Sequence, residues 1–412
     1  MKKIIWTCLL ILIIPIIVFP LTWKESIVLT ISNNTDLKTA QKKVQQAQNQ
    51  VEIARVGGLP TLDGSMSANR SKSVLGIEGD AYSAGISSSQ LLFDAGKTST
   101  QVEKAEIGLK FAQIEYEKSM SDVLFVLRQS YLETLKYQKL IEITTEILTR
   151  RQKQYELINL RYKAGREHLG AVLEAKANLL HAQKEEVALR RRSRIAFKRF
   201  TNIIGVPIQD NISEVLIAGK PQNTVLFLDL AQNHYTYRLL ELTQASAEKD
   251  LTINTAALWP SLYANGNYRF SGDEFFPKED TWSVGLQMTY TLWDWAKRGN
   301  QIMNAELELS QAQSQVEETL SGLAIELEDK YLAWQNAYDA VQVQKAFLEA
   351  VHARAKIADL SYSNGTMTFD NWLLVENDLA GRAKVYVETI AAALAAEAVW
   401  INTKGGGYDV QK

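Results

Sequence analysis

The second half of this chain repeats the first. Pro60 recurs as Pro260, Leu62 as Leu262, Gly85 as Gly285, Leu92 as Leu292 and Asp94 as Asp294, all 200 residues apart. The register continues without a gap through Ala105-Glu106 and Ala305-Glu306, Tyr131 and Tyr331, Gly165 and Gly365, Leu173 and Leu373, Asn202 and Asn402, and Gly205 and Gly405. Proline, glycine, aspartate and tyrosine recurring in one register mark a tandem duplication, so the chain must execute one structural plan twice.

The plan is legible in either copy. A helix (about 36–58 and about 236–258) leads to a proline, two alternating strands, a very long helix, a glycine turn and a second long helix. In 262–270 the even positions Leu262, Ala264, Gly266, Tyr268 and Phe270 are mostly apolar, and Asn265, Asn267 and Arg269 lie between them. In 282–292 the even positions are Trp282, Val284, Leu286, Met288, Tyr290 and Leu292, with small or polar residues on the odd ones. That is period-2 alternation, apolar on one face and wet on the other, with aromatics near both strand ends. The first copy keeps the phase with Leu62, Met66, Tyr82, Ala84, Ile86 and Leu92, diluted by serines.

A lone alternating strand is most often one side of a soluble sheet. Here the runs reach the roughly 9–11 residues that a tilted transmembrane strand needs, and no other sheet is evident for them to lie on. Four strands do not close a barrel, since closure takes about eight and open edges in lipid leave backbone groups unpaired. Several chains are therefore expected to share one barrel.

After Asp94 and Asp294 the period becomes helical. Leu309, Ala312, Val316, Leu323, Leu327, Tyr331, Trp334, Tyr338, Val341, Leu348 and Val351 recur mostly at spacings of three, four or seven, which predicts a coiled-coil seam. Residues 297–363 hold no proline, and 97–163 repeat the pattern with Val102, Leu109, Ala112, Tyr116, Val123, Leu127 and Tyr131. At 1.5 Å per residue each helix would reach ~100 Å. A return helix follows each turn at Gly165 or Gly365, so the helices form a rod of hairpins.

Composition narrows the function classes. Lys+Arg (45) and Asp+Glu (47) nearly cancel, which argues against nucleic acid as a partner. The only cysteine, Cys8, lies in the apolar run Ile4–Phe19 that follows Lys2 and Lys3. Residues 1–21 are expected to be a signal peptide, with an uncleaved anchor as the other reading. No later segment reads as a transmembrane helix. The four histidines, His168, His181, His234 and His352, show no metal-ligand spacing, and no phosphate loop or nucleophile elbow occurs. No catalytic, cofactor or metal residues are therefore assigned.

Leu91-Leu92-Phe93-Asp94-Ala95-Gly96-Lys97 and Leu292-Trp293-Asp294-Trp295-Ala296-Lys297-Arg298 resemble the strand-to-helix signature of the TolC-like outer membrane efflux protein family, the outer membrane factors. Asn33-Asn34-Thr35-Asp36-Leu37 and the helix that ends in Leu59-Pro60-Thr61-Leu62 resemble it too. So do Arg161-Tyr162-Lys163-Ala164-Gly165 and Tyr362-Ser363-Asn364-Gly365-Thr366, which are similar to the family's hairpin turns. The resemblance covers about residues 22–405.

What the resemblance implies is a mainly α chain whose duplicated helical hairpins form an α-barrel in the periplasm. Four strands per chain would join a trimeric, 12-stranded outer-membrane β-barrel. Such a homotrimer acts as an exit duct for drugs, metals or secreted proteins. It docks by its helical tips on a periplasmic adaptor (membrane fusion protein) that connects to an inner-membrane pump. The organisation expected is a leader at 1–21, a first repeat at 22–205, a linker or equatorial segment at 206–232, a second repeat at 233–405 and a flexible tail at 406–412.

Individual residues follow from both readings. Asp94 and Asp294 stand where strand becomes helix and are expected to act as N-caps. Gly165 and Gly365 are expected in left-handed turns. Arg166, Glu167 and His168, with Asn364 and Thr366, would present the docking tips. The resemblance points to acids just after the second turn as the entrance constriction. Asp370 is the nearest match, Asn371 occupies the usual acidic position without charge, and Leu374 replaces the next acid. The run Arg190, Arg191, Arg192, Arg194, Lys198 and Arg199 reads first as a wet helix face, with lipid phosphate or a partner as the other reading. The competing class is a periplasmic coiled-coil adaptor or structural protein. It would need compact β-rich modules flanking one hairpin, whereas this chain has two hairpins.

Overall fold

The computed structural model describes residues 21–72, 78–208, 212, 216–221 and 225–407. Cys8, the leader through residue 20 and tail residues 408–412 lie outside the described residues. In chain order the elements are α1 (Trp23–Asn33), α2 (Thr35–Val56), β1 (Thr61–Lys72), β2 (Glu78–Phe93), α3 (Lys97–Lys163) and α4 (Leu169–Ile204). They continue with α5 (Phe227–Asn233), α6 (Tyr235–Ala256), β3 (Ser261–Gly272), β4 (Glu279–Thr289), α7 (Lys297–Ser363) and α8 (Phe369–Thr403).

Helices α3 and α7 each hold 67 residues at the expected bounds, so each is ~100 Å long. The short helices α1 and α5 were not expected, and they extend the repeat upstream. Asn34 caps α2 by accepting from the Asp36 and Leu37 amides. His234, 200 residues on, caps α6 through Nδ1 at 3.1 Å from the Thr236 amide.

The cores repeat as well. Leu127, Tyr131 and Phe200 pack with Ile27 of α1, and Leu327, Tyr331 and Trp400 pack with Phe227 of α5. All four residues of the second cluster lie 200 positions from their counterparts in the first. Phe227 meets the Tyr331 and Trp400 rings at 5.7 and 6.4 Å, and Tyr331 meets Trp400 at 5.1 Å. The two contacts of Trp400 are edge-on, a preferred aromatic geometry.

Helix α3 packs on α4, α7 on α8, and α3 on α8, so the four lie in the lateral order α4, α3, α8, α7. Helix α8 is long and apolar enough to cross a membrane by length and composition, which the sequence reading did not expect. Its apolar side is seated instead on α7 and α3 through Leu373, Val375, Leu379, Ile390 and Leu394.

The strands form one antiparallel sheet in the order β1-β2-β3-β4. Two local details differ from the alternation read in sequence. The β2–β3 register shifts between Leu91 and Phe93, so Phe93 and not Leu92 stands opposite Leu262. A bulge inserts one residue and moves everything after it to the other face. Strand β4 ends at Thr289, not near Leu292. Its last partner is Ser261, and Pro260 beyond it has no amide to continue the ladder.

Candidate functional site

The sheet has two chemically distinct faces. Cross-strand partners Leu262 and Met288, Ala264 and Leu286, and Tyr268 and Trp282 put apolar groups together. On the opposite face the Asn265 side chain bonds Gln287 at 3.1 Å and Ser89 at 2.9 Å, and Ser67 pairs with Ser83 at 2.9 Å. The apolar face is bare in the single chain, with Val284 80% and Met66 88% exposed. Aromatic groups gather at both ends. Phe275 contacts Tyr82 and Phe276 by the β3–β4 turn, and Trp293 contacts Trp295 at the helix end. An apolar band between aromatic belts is the surface of a protein whose outer wall touches lipid. The sheet is open along β1 and β4, the two outermost strands.

The strand-to-helix junction corrects one expectation. Asp94 and Asp294 are not the N-cap residues. Gly96 and Ala296 hold those positions, in left-handed conformations at φ 81° and 63°. From two residues upstream, the Asp94 carboxylate accepts from the Thr98 amide at 2.7 Å, and Asp294 accepts from the Arg298 amide at 3.3 Å and from Arg298 Nε at 2.6 Å. Ala95 and Trp295 also have positive φ, so the chain turns through two consecutive left-handed residues before each long helix. That turn carries the helix start past the carboxylate.

At the far end the two hairpin turns are copies of each other. The Gly165 amide donates to Tyr162 O and the Arg166 amide to Arg161 O, while the Gly365 amide donates to Tyr362 O and the Thr366 amide to Ser361 O. Gly165 and Gly365 have φ of 69° and 78°, and this pair of bonds closes each helix end. Asn364 is the residue after the last turn of α7, and the Thr366 hydroxyl also reaches Ser361 O. His168 caps α4 by accepting from the Ala171 amide at 3.1 Å, and Thr368 caps α8. Arg166, Asp370 and Asn371 are exposed. Glu167 is largely covered and accepts from the Tyr362 hydroxyl at 3.0 Å.

The tips are joined by residues that the periodicity did not single out. The Arg161 guanidinium donates to the carbonyls of Tyr362 and Ser363 and lies 4.3 Å over the Tyr362 ring, which also stacks parallel on the Trp372 ring at 4.4 Å. Burial, reinforced by the bond to Glu167, pushes the Tyr362 hydroxyl up to about 12, so it remains a donor at neutral pH. Trp372 Nε1 donates to Asp359, and Asp359 also accepts from Arg150 at 3.2 Å. Arg150, Arg151 and Gln154 of α3 then meet Glu376 and Asn377 of α8. This network forms the tipward wall of a cleft of about 560 Å³ between α3 and α8. Its sequence signal was weak but present: Arg151, Gln154 and Glu376 are polar groups at buried seam positions.

A lipid-facing sheet continued by ~100 Å helices defines a membrane protein of the barrel-and-tunnel class. The family described as "Outer membrane efflux protein" matches residues 27–206 and 229–397, and the chain belongs to that family. It is an outer-membrane protein, its helices standing on the periplasmic side. Nodulation protein T of Rhizobium leguminosarum bv. viciae is 22% identical over 398 residues, covering 93% of this chain and 81% of that protein. The pyoverdine export outer membrane protein OpmQ of Pseudomonas aeruginosa is 23% identical over 415 residues, covering 91% and 83%. Among solved structures, the Campylobacter jejuni CmeC outer membrane channel superposes with TM-score 0.82 at 18% identity, covering 95% of this chain and 87% of that one. VceC of Vibrio cholerae gives 0.80 at 18%, covering 94% and 97%.

Proposed function

We propose that three copies of this chain close a 12-stranded barrel in the outer membrane and serve as the passive exit duct of a tripartite efflux or type I secretion system. The observation that carries this reading is the open sheet: an apolar face exposed to solvent, with unpaired edges at β1 and β4. Such edges are untenable in lipid until another copy's β1 meets this β4. Cargo would arrive from an inner-membrane pump through a periplasmic adaptor. The adaptor would engage the tips at Gly165, Arg166, Glu167 and His168 and at Asn364, Gly365 and Thr366. Asp370, beside Asn371, would form a ring of three carboxylates at the entrance. Residues 1–21 would direct export, and 206–232 would girdle the two repeats at mid-height. The duct itself performs no chemistry.

Sedimentation of the detergent-extracted protein tests the reading. A mass of three mature chains supports it. A monomer that stays soluble without detergent overturns it and favours the periplasmic coiled-coil alternative.

A further inference from the structure

The cleft of about 560 Å³ between α3 and α8 is built by one chain alone, where its first hairpin meets its second. Along α3 it runs from Leu135 to Arg151, 16 residues or ~24 Å. Both ends are bracketed. Toward the tips stand Arg150, Arg151 and Glu376, and toward the sheet Leu132, Ile390 and Leu216 cluster together. Between them Leu135, Ile143, Ile147, Leu379 and Val387 supply apolar walls. The space stays open because α8 presents Ala380 and Ala383 to it, side chains that end at Cβ and do not fill the gap. A volume within the roughly 300–1,000 Å³ of ligand sites, apolar walls and a few convergent polar groups describe a place for a small molecule.

The charges around the cleft select what that molecule is. Arg150 is engaged by Glu376 and Asp359, and Lys139 by Glu142 at 2.7 Å. Arg151 is 7% exposed and donates to Gln154 and Asn377, so its guanidinium is already bonded and withdrawn from the opening. Glu146 differs. It is exposed, lines the cleft one helical turn beyond Glu142, and has no ion-pair or hydrogen-bond partner among the described residues. It stands between Ile143 and Ile147 of the apolar wall, and Tyr386 adds an aromatic ring on the α8 side. An uncompensated carboxylate beside apolar and aromatic surface favours a positive charge carried on an apolar body.

We propose that this cleft binds a lipophilic cation, one small molecule per chain, its body on Ile143, Ile147, Leu379 and Val387 and its charge at Glu146. A molecule seated there touches α3 and α8 together and so ties the first hairpin to the second. All the lining residues belong to one chain, so the site does not depend on how many copies assemble.

Equilibrium dialysis of the detergent-extracted full chain tests it, at about pH 8, well above the ordinary imidazole range. Two probes of one shape and opposite charge are compared, tetraphenylphosphonium and tetraphenylborate, with the uptake of empty micelles subtracted. Tetraphenylphosphonium should bind saturably at one per chain, and tetraphenylborate should not. Glu146→Gln, at an exposed position without partners, leaves the fold intact and should weaken the cation by about fivefold. Ala380→Leu/Ala383→Leu, which fills the cleft, should remove saturable binding. Equal binding of the two ions, no saturable binding of the cation, or a Glu146→Gln affinity equal to the parent's overturns the site. None of these results changes the sedimentation mass, so the site can fail while the duct stands.

Discussion

Arg150 of α3 and Glu376 of α8 form a two-point ion pair, Nε to Oε2 at 3.1 Å and Nη2 to Oε1 at 2.5 Å, across the line where the first hairpin meets the second. Glu376 is 3% exposed, and the guanidinium is held more firmly charged by this bond than an ordinary arginine. Removing Arg150 strands the buried carboxylate, whereas Arg150 itself is 43% exposed and also bonds Asp359. Arg150→Ala is therefore expected to destabilise by about 3–5 kcal/mol, and Arg150→Met/Glu376→Leu should cost far less. Thermal unfolding of the four members of that cycle measures both, and an unchanged Arg150→Ala midpoint would sink the assignment.

His234 is expected to make stability pH-dependent. Burial, aided by Lys118, pushes its imidazole down to about 4 from an ordinary value of 6.5. Between those values the unfolded chain takes up a proton that the folded one refuses, so stability is full above pH 6.5 and falls as pH drops toward 4. The loss should reach about 2–3 kcal/mol. Asn34 performs the same capping role in the first repeat, so His234→Asn should keep the cap and flatten this part of the profile. Parallel unfolding curves for variant and parent across that window would reject the role.

Ala296 sits at φ 63° where the first repeat has Gly96. A left-handed alanine costs about 1–2 kcal/mol that glycine avoids, partly offset by glycine's greater unfolded-state freedom. Ala296→Gly should therefore raise the unfolding midpoint by about 1 kcal/mol equivalent, and Gly96→Ala should lower it. The same direction of change in both variants would contradict the argument.

The two sheet faces should respond oppositely to charge. Val284→Arg places a cation on the lipid side at a cost of about 2–4 kcal/mol and should reduce the protein recovered in the outer-membrane fraction. Ser283→Arg, one residue away on the polar face, should be recovered normally. Equal recovery of the two would mean that the faces are misassigned.

Asp370→Ala should weaken the cation preference of single channels in planar bilayers while leaving assembly intact, because three entrance carboxylates would be lost. Unchanged ion selectivity would assign Asp370 to the start of α8 alone, where an acid is favourable anyway.

Much of the fold was legible because its signals are local and repeated. The absence of proline from 97–163 and 297–363 and the glycines at 165 and 365 bound the long helices to the residue. Leu92 was misplaced because a bulge leaves no composition signature. Asp94 and Asp294 accept from first-turn amides as the sequence predicts, but from two residues upstream of the cap position, because that position depends on whether the preceding turn is left-handed and neither Ala95 nor Trp295 advertises such a backbone. The tip network is only faintly legible in sequence, because Arg150, Asp359 and Glu376 lie on three helices, up to 226 residues apart.

Periodicity and duplication thus determined, by sequence alone, that this chain makes two long helical hairpins and four strands with one apolar face. Both follow from which side of a helix or strand must leave water. The tertiary structure decided the order in which the four long helices stand, the partners of the buried Arg150 and Glu376, and the faces of α4 and α7 left bare. Those depend on packing between segments whose distance along the chain carries no information about their distance in space.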